Sequence, residues 1–209
     1  MMNTNDNVYK RKSQDFFNES AASYDQSTSM GISPELLSGI LQKLTRFPQP
    51  QSILDVGCGT GELLTQITGR MDASLAGLDL SPNMVAVARK KLGNSVDLQV
   101  GDSEALPWEA ATFSVVLCTL SFHHYPHPNQ ALTEMRRVLK PGGMLILADM
   151  TMPTPLRQFA NLILPLLSTG DHRFYSQAEI LGLLTEAGFL IPNWQKVSDS
   201  TFFVTACLP

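Results

Sequence analysis

The chain has 209 residues, 44% of them hydrophobic and 16% charged, with a formal net charge of -4. That composition suits one folded domain with a sizeable core and excludes a disordered chain. The acidic balance lacks the electrostatic footprint of a general nucleic-acid binder, so no nucleic acid is expected as a partner.

The N-terminal stretch MMNTNDNVYKRK is polar and has no apolar segment behind its charges, unlike a secretory signal. Its basic cluster, Lys10-Arg11-Lys12, reads as a solvated helix face. Residues 8–22 and 33–46 read as two helices. Pro34 opens the second, Leu36, Leu37, Ile40, Leu41 and Leu44 recur at helical spacing, and Pro48 and Pro50 stop it. The pattern then alternates. Strands are predicted at Ser52–Val56, Ala73–Leu80, Val96–Val100, Thr112–Leu120 and Met144–Met150, the last after the turn Pro141-Gly142-Gly143. Helices are predicted at Glu62–Gly69, Pro82–Leu92 and Pro128–Leu139. Near-continuous apolar strands alternating with helices argue for an α/β fold, a mostly parallel sheet with helices on both faces. A helix over 176–187 opens on Ser176 with Glu179 at capping-box spacing and stops at Gly188. Leu190–Val197 and Thr201–Leu208 follow, joined by only three residues, so the last strand is antiparallel to its neighbour.

No apolar run approaches the roughly 18 residues of a membrane span. Cys58, Cys118 and Cys207 are far apart and without CxxC spacing, which argues against a disulfide framework or a zinc site and for a reducing cytoplasm.

The segment SILDVGCGTGELL, 52–64, places a glycine loop between a strand and a helix. Such turns hold ligands in open α/β sheets, and the helix N-terminus offers free N–H groups. The dinucleotide fingerprint is G-x-G-x-x-G. Here the spacing is G-x-G-x-G over Gly57, Gly59 and Gly61, and Glu62 stands where the third glycine would be. Asp55, two residues before Gly57, is unhelpful beside a pyrophosphate and useful beside a cation. S-adenosylmethionine carries an ammonium and a sulfonium and has no phosphate.

Residues 53–61, ILDVGCGTG, resemble motif I of the class I S-adenosylmethionine-dependent methyltransferases. GLDLSPNMVAVARKK (77–91), VGDSEALPW (100–108), FSVVLCTLSFHH (113–124), EMRRVLKPGGMLILAD (134–149) and YSQAEILGLLTEAGF (175–189) resemble its later segments in order and spacing. Within the family the chain looks closest to the ubiquinone and menaquinone biosynthesis methyltransferases and their small-molecule relatives. The resemblance implies a Rossmann-like, doubly wound, seven-stranded sheet. It also implies roles. Asp55 meets the cofactor ammonium, or alternatively caps the next helix. Asp79 takes the ribose hydroxyls, and Asp102 the adenine amino group with the Ser103 backbone facing the ring. Gly57, Cys58, Gly59, Gly61, Leu80 and Leu120 complete the cofactor set, with Cys58 read as a packing residue rather than a nucleophile. Met84 lies over the adenine or in the core. Tyr24-Asp25 resembles the segment that folds over the cofactor, where Tyr24 closes the methionine end.

His123, His124 and His127 follow the fourth strand, at the edge where substrate would lie. His124 or His123 is a candidate general base, against the plainer reading that both serve loop hydrogen bonds. A metal is not expected, because adjacent histidines do not easily point into one site and no HxH or HxxxH pair is backed by neighbouring carboxylates. Residues 150–175 carry Leu156, Phe159, Leu162, Ile163, Leu166 and Leu167 at roughly helical spacing, with Pro165 bending the segment. This insertion is a lid over an apolar substrate, a helix packed on the core, or a dimer face. Phe159, His172 and Tyr175 are candidate substrate residues.

The expectation is one methyltransferase domain over 1–209, with helices in 1–48 covering the cofactor and a lid-like insertion at 150–175. It methylates a small, partly apolar molecule, as a monomer or homodimer. An NAD(P)-dependent oxidoreductase and a non-catalytic cofactor-binding module are the alternatives.

Overall fold

A computed structural model describes residues 4–26, 31–48 and 51–209; Pro50, expected to help stop the second helix, lies outside them. In chain order these are α1 (Thr4–Ser20), α2 (Pro34–Arg46), β1 (Ser52–Val56), α3 (Glu62–Ile67), β2 (Ser74–Asp79), α4 (Pro82–Leu92), β3 (Val96–Val100), β4 (Phe113–Thr119), α5 (Pro128–Val138), β5 (Leu139–Met150), α6 (Thr154–Ile163), α7 (Gln177–Glu186), β6 (Leu190–Lys196) and β7 (Thr201–Cys207). Single helical turns stand at Tyr24–Gln26, Phe122–His124 and Leu164–Leu166. Among the described residues no helix is long and apolar enough to cross a membrane.

The seven strands form one sheet in the order β3-β2-β1-β4-β5-β7-β6. The first five are parallel, and β7 runs antiparallel to both β5 and β6. The short link after β6 builds the expected hairpin, and β7 takes the inner place beside β5. The order reverses between β1 and β4, and a doubly wound sheet opens its ligand crevice at such a switch point.

Both sheet faces are covered, which is why the strands read as apolar runs. Along β4, Val116 and Cys118 join one core with Leu132 and Met135 of α5 and Ile180 and Leu184 of α7. Val115 and Leu117 point the other way, into a core with Leu36, Ile40 and Leu44 of α2. Caps fix where the helices start. Ser33 accepts from the Leu36 amide, Ser81 from the Met84 amide, and Ser176 with Glu179 makes the expected capping box on α7.

One boundary differs from expectation. The segment Pro141-Gly142-Gly143 is not a turn that precedes β5 but an irregularity inside it. Leu139 already pairs with Phe113, and the regular register resumes at Met144 opposite Val115. Gly142 takes φ +72°, which lets the chain bulge out and rejoin the ladder.

Candidate active site

The glycine loop leaves β1 at Val56 and is fastened to the end of β2. The amides of Gly57 and Cys58 both donate to the Leu78 carbonyl, at 2.7 and 2.9 Å. Gly57 has φ +78°, and a Cβ there would lie 2.4 Å from Ser121 Oγ, so only glycine fits. A Cβ on Gly59 would meet nothing within 4 Å, because Gly59 faces a cavity. The Gly59 amide donates to Asp79 Oδ2 at 2.8 Å, and the Ser81 amide to Asp79 Oδ1 at 2.9 Å. Asp79 thus shapes the loop while still presenting lone pairs to the cavity.

The cavity holds about 530 Å³ at the carboxyl ends of the strands. Its wall brings together Tyr24, Asp55, Gly57, Cys58, Gly59, Asp79, Leu80, Met84, Asp102, Ser103 and Leu120, all expected as cofactor residues. Met84, read as lying over the adenine or in the core, lines the cavity and is fully buried. Gly61 is the exception. It caps α3 at φ +76°, where an added Cβ would lie 2.8 Å from Leu92 and 3.1 Å from Ala88, outside the cavity. Its role is close packing of α3 on α4.

Asp55 is buried, and among the described residues its Oδ1 has no hydrogen-bond partner, nor has the Thr119 hydroxyl in the same wall. Burial and, secondarily, the charge of Asp79 push the Asp55 carboxyl up to about 7. An orphaned carboxylate oxygen at a cavity wall fits a ligand ammonium. The sign follows from the raised pKa. Protonation near pH 7 removes the charge, so binding of an ammonium-bearing ligand weakens as pH falls through 7. S-adenosylhomocysteine is expected to bind about fivefold more weakly at pH 6 than at pH 7. Calorimetry across that range checks it, and the Asp55→Asn variant is expected to lose this slope. The same group makes the ligand-free protein less stable as pH rises from about 4 to 7, since only the folded state holds that proton there.

One side of the cavity comes from α1, within the 1–48 segment expected to cover the cofactor, through residues the sequence did not single out. Lys10, Gln14 and Phe17 line the cavity. Lys10 is a correction: it is not a solvated face but pairs with Asp102 Oδ2 at 2.7 Å and Glu104 Oε2 at 2.6 Å, with its side chain 15% exposed. Gln14 Nε2 donates to the Leu80 carbonyl at 2.9 Å, and Asn18 Oδ1 accepts from Ser81 Oγ at 2.7 Å. Beside Tyr24, Asp25 accepts from Thr60 Oγ1 at 2.6 Å and pairs with Lys91 at 2.5 Å. Those contacts outweigh burial and hold the Asp25 carboxyl below its ordinary range.

The two candidate bases separate. His124 lines the cavity, whereas His123 is buried behind it. His123 Nδ1 lies 2.6 Å from Asp149 Oδ1, and its amide donates to Asp149 Oδ2 at 2.8 Å. Burial favours neutral imidazole at His123, but the Asp149 charge prevails and raises the ring to about 9. His124 is lowered to about 4 by burial and by the charge on His123. Its Nδ1 faces Asp171 Oδ1 at 3.3 Å rather than the cavity. His127 pairs with the buried Glu104 at 2.9 Å. Adjacent histidines do converge here: the single-turn helix at Phe122–His124 brings donor atoms of His123, His124 and Asp171 within 4.8 Å of one another, contrary to the expectation from their spacing.

The expected substrate residues do not reach the cavity. His172 and Tyr175 line a separate recess with Arg173 and Glu179, and Phe159 is 61% exposed on the outer face of α6. No residue of 150–175 lines the main cavity, so the lid-like placement is corrected as well. The reason is orientation: periodicity made α6 amphipathic, but Leu156, Phe159, Leu162 and Leu166 turn outward, not over the sheet edge.

Residues 54–147 match the family described as "Methyltransferase domain". The chain is 32% identical to "O-methyltransferase cnsE" of Penicillium expansum over 73% of this chain and 56% of that protein, so it spans little more than half of that relative. It is 30% identical to "Malonyl-[acyl-carrier protein] O-methyltransferase" of Geobacter sulfurreducens over 87% of this chain and 71% of that one. In fold it matches the phosphoethanolamine N-methyltransferase 2 of Haemonchus contortus, solved with S-adenosyl-L-methionine, at a TM-score of 0.77 and 16% identity, over 100% of this chain and 60% of that one. Switch-point cavity, glycine loop, matched domain and aligned relatives agree, and the chain belongs to the class I S-adenosylmethionine-dependent methyltransferase family.

Proposed function

We propose that this protein transfers a methyl group from S-adenosylmethionine to a small, partly apolar acceptor held in the 530 Å³ cavity. The observation that carries the reading is the row of three carboxylates on one wall. Asp55 stands on β1, Asp79 at the end of β2, and Asp102 just past β3. They offer an anion to an ammonium, an acceptor to two ribose hydroxyls and an acceptor to an adenine amino group. When bound, the sulfonium supplies a methyl group activated for in-line displacement. The chain supplies position and exclusion of water. Gly59 lets the backbone approach closely, and Asp79 fixes the loop before any ligand arrives. Phe17, Tyr24, Ile32, Leu120 and Pro126 give the rest of the wall its apolar character, which favours an acceptor with a hydrophobic body. His124 stays neutral at physiological pH and presents its ring to that space.

The test joins binding to turnover. Calorimetry is expected to give one site for S-adenosylhomocysteine and no heat from NADH. Radiolabelled S-adenosylmethionine offered with phenols, quinols, carboxylic acids, RNA and protein is expected to label a small molecule. Labelling of RNA or protein alone would overturn the small-molecule reading. Heat from NADH alone would favour an oxidoreductase, and cofactor binding without turnover a non-catalytic module.

A further inference from the structure

Behind the His124 side of the cavity wall, two imidazoles and a carboxylate converge. His123 Nε2 lies 3.4 Å from Asp171 Oδ1, and His124 Nδ1 lies 3.3 Å from the same oxygen. We propose that His123, His124 and Asp171 form a binding site for a divalent transition-metal ion of the zinc class.

Four observations carry this. The first is spacing. Zinc binds imidazole nitrogen and carboxylate oxygen at about 2.0–2.2 Å, so neighbouring donors around a tetrahedral ion stand about 3.3–3.5 Å apart. Both measured separations have that length. They are longer than a good hydrogen bond to a carboxylate, which runs about 2.7–2.9 Å. The second is an unused donor. The side chain of His124 is only 10% exposed, and its Nδ1, aimed at Asp171, has no hydrogen-bond partner among the described residues.

The third is the supporting layer. Metal-bound histidines commonly give their other nitrogen to a carboxylate, which fixes the tautomer. Asp149 occupies that position on His123 Nδ1 at 2.6 Å and is itself held by the amides of His123 and Met150. Asp171 is oriented in turn: Thr169 Oγ1 donates to its Oδ2 at 2.7 Å, leaving Oδ1 for the centre. The amides of His172 and Arg173 donate to the His123 carbonyl at 2.8 and 3.0 Å, so backbone bonds hold the two halves of the site together. The fourth is charge. Two carboxylates face two imidazoles, and a dication balances them. A donor set of two nitrogens and one oxygen selects zinc, cobalt or nickel over magnesium or calcium, which take oxygen donors. With three protein donors the centre keeps an open position, and through His124 it adjoins the proposed acceptor space.

The measurement needs no methyl transfer. The full chain carrying Cys207→Ser, which removes the exposed thiol, is stripped of metal and titrated with Zn²⁺ against a chromogenic chelator, then with Co²⁺ in the visible range. One equivalent of Zn²⁺ is expected, together with tetrahedral Co²⁺ absorption bands and no thiolate charge-transfer band. Mg²⁺ is expected not to compete. His124→Gln and Asp171→Asn, each checked for folding by far-ultraviolet circular dichroism, are expected to weaken Zn²⁺ at least tenfold. Failure of the parent chain to bind one equivalent overturns the site, so the test stands even if a variant does not fold. Unchanged affinity in a folded variant overturns it too.

Discussion

Replacing Asp79 with alanine is expected to raise the dissociation constant for S-adenosylhomocysteine at least about 100-fold while leaving the sheet folded. Asp79 works in two directions. Its oxygens accept from the amides of Gly59 and Ser81, which shape the glycine loop, and the same carboxylate lines the cavity where ribose hydroxyls are proposed to dock. Hydrogen bonds to a charged group contribute about 1.5–3 kcal/mol each, so losing two to the ligand accounts for roughly two to four decades of affinity. Folding suffers less, because the freed amides border a cavity that water can reach. Burial raises the Asp79 carboxyl, and the amides of Ser81 and Gly59 oppose that rise. Asp79→Asn keeps one acceptor and is expected to lose about tenfold. Calorimetry reads the affinities and a thermal melt reads the fold. An alanine variant that binds within threefold of the parent would remove Asp79 from the proposed ribose role.

The residues of this wall were legible where their partners are close in sequence or where a strand end fixes them. Asp55, Gly57 and Gly59 sit within one strand-to-loop turn, and Asp79 ends the next strand. Apolar runs, Pro34 and the Ser176 capping box placed the helices and strands to within about five residues, because burial on both faces and helix starts act locally. What escaped depends on folding distant segments together. Lys10 meets Asp102 and Glu104 across 92 and 94 residues, and nothing near Lys10 in the chain distinguishes it from Arg11. The His123 cluster draws Asp149 from β5 and Asp171 from the loop before α7, so a scan for histidine spacing could not find it. The stripe on α6 was visible as a stripe, but periodicity does not say which way a helix faces. Gly61 was grouped with its loop neighbours by spacing alone, whereas its contacts belong to helix packing.

Asp149→Ala is expected to be the most damaging single substitution for stability, about 3–5 kcal/mol in chelator-treated protein. Asp149 is 2% exposed and receives the His123 amide at 2.8 Å and the Met150 amide at 2.7 Å, with His123 Nδ1 at 2.6 Å. Removing one member of a buried pair strands the other in a medium that solvates it poorly, and that loss exceeds what the intact pair contributes. For a chain of this size each kcal/mol shifts the melting temperature by about 2–4 °C, so a fall on the order of 10 °C follows. Asp149→Asn separates charge from geometry. Its side-chain oxygen can still accept the His123 amide, but the carboxylate that raises the ring is gone, so an intermediate loss is expected. The pH dependence carries the sign. Burial lowers the His123 ring, but Asp149 and then Asp171 raise it to about 9, above its unfolded value near 6.5. A raised histidine stabilises the fold fully below the unfolded pKa, and that contribution fades as pH climbs from about 6.5 through 9. Chemical denaturation of chelator-treated protein at pH 6.5 and pH 9 is therefore expected to show the parent losing stability across that window and Asp149→Asn losing much less. If both variants melt within 2 °C of the parent, or if the parent's stability is flat from pH 6.5 to 9, the buried pair is not what holds the turn at 122–124 against β5.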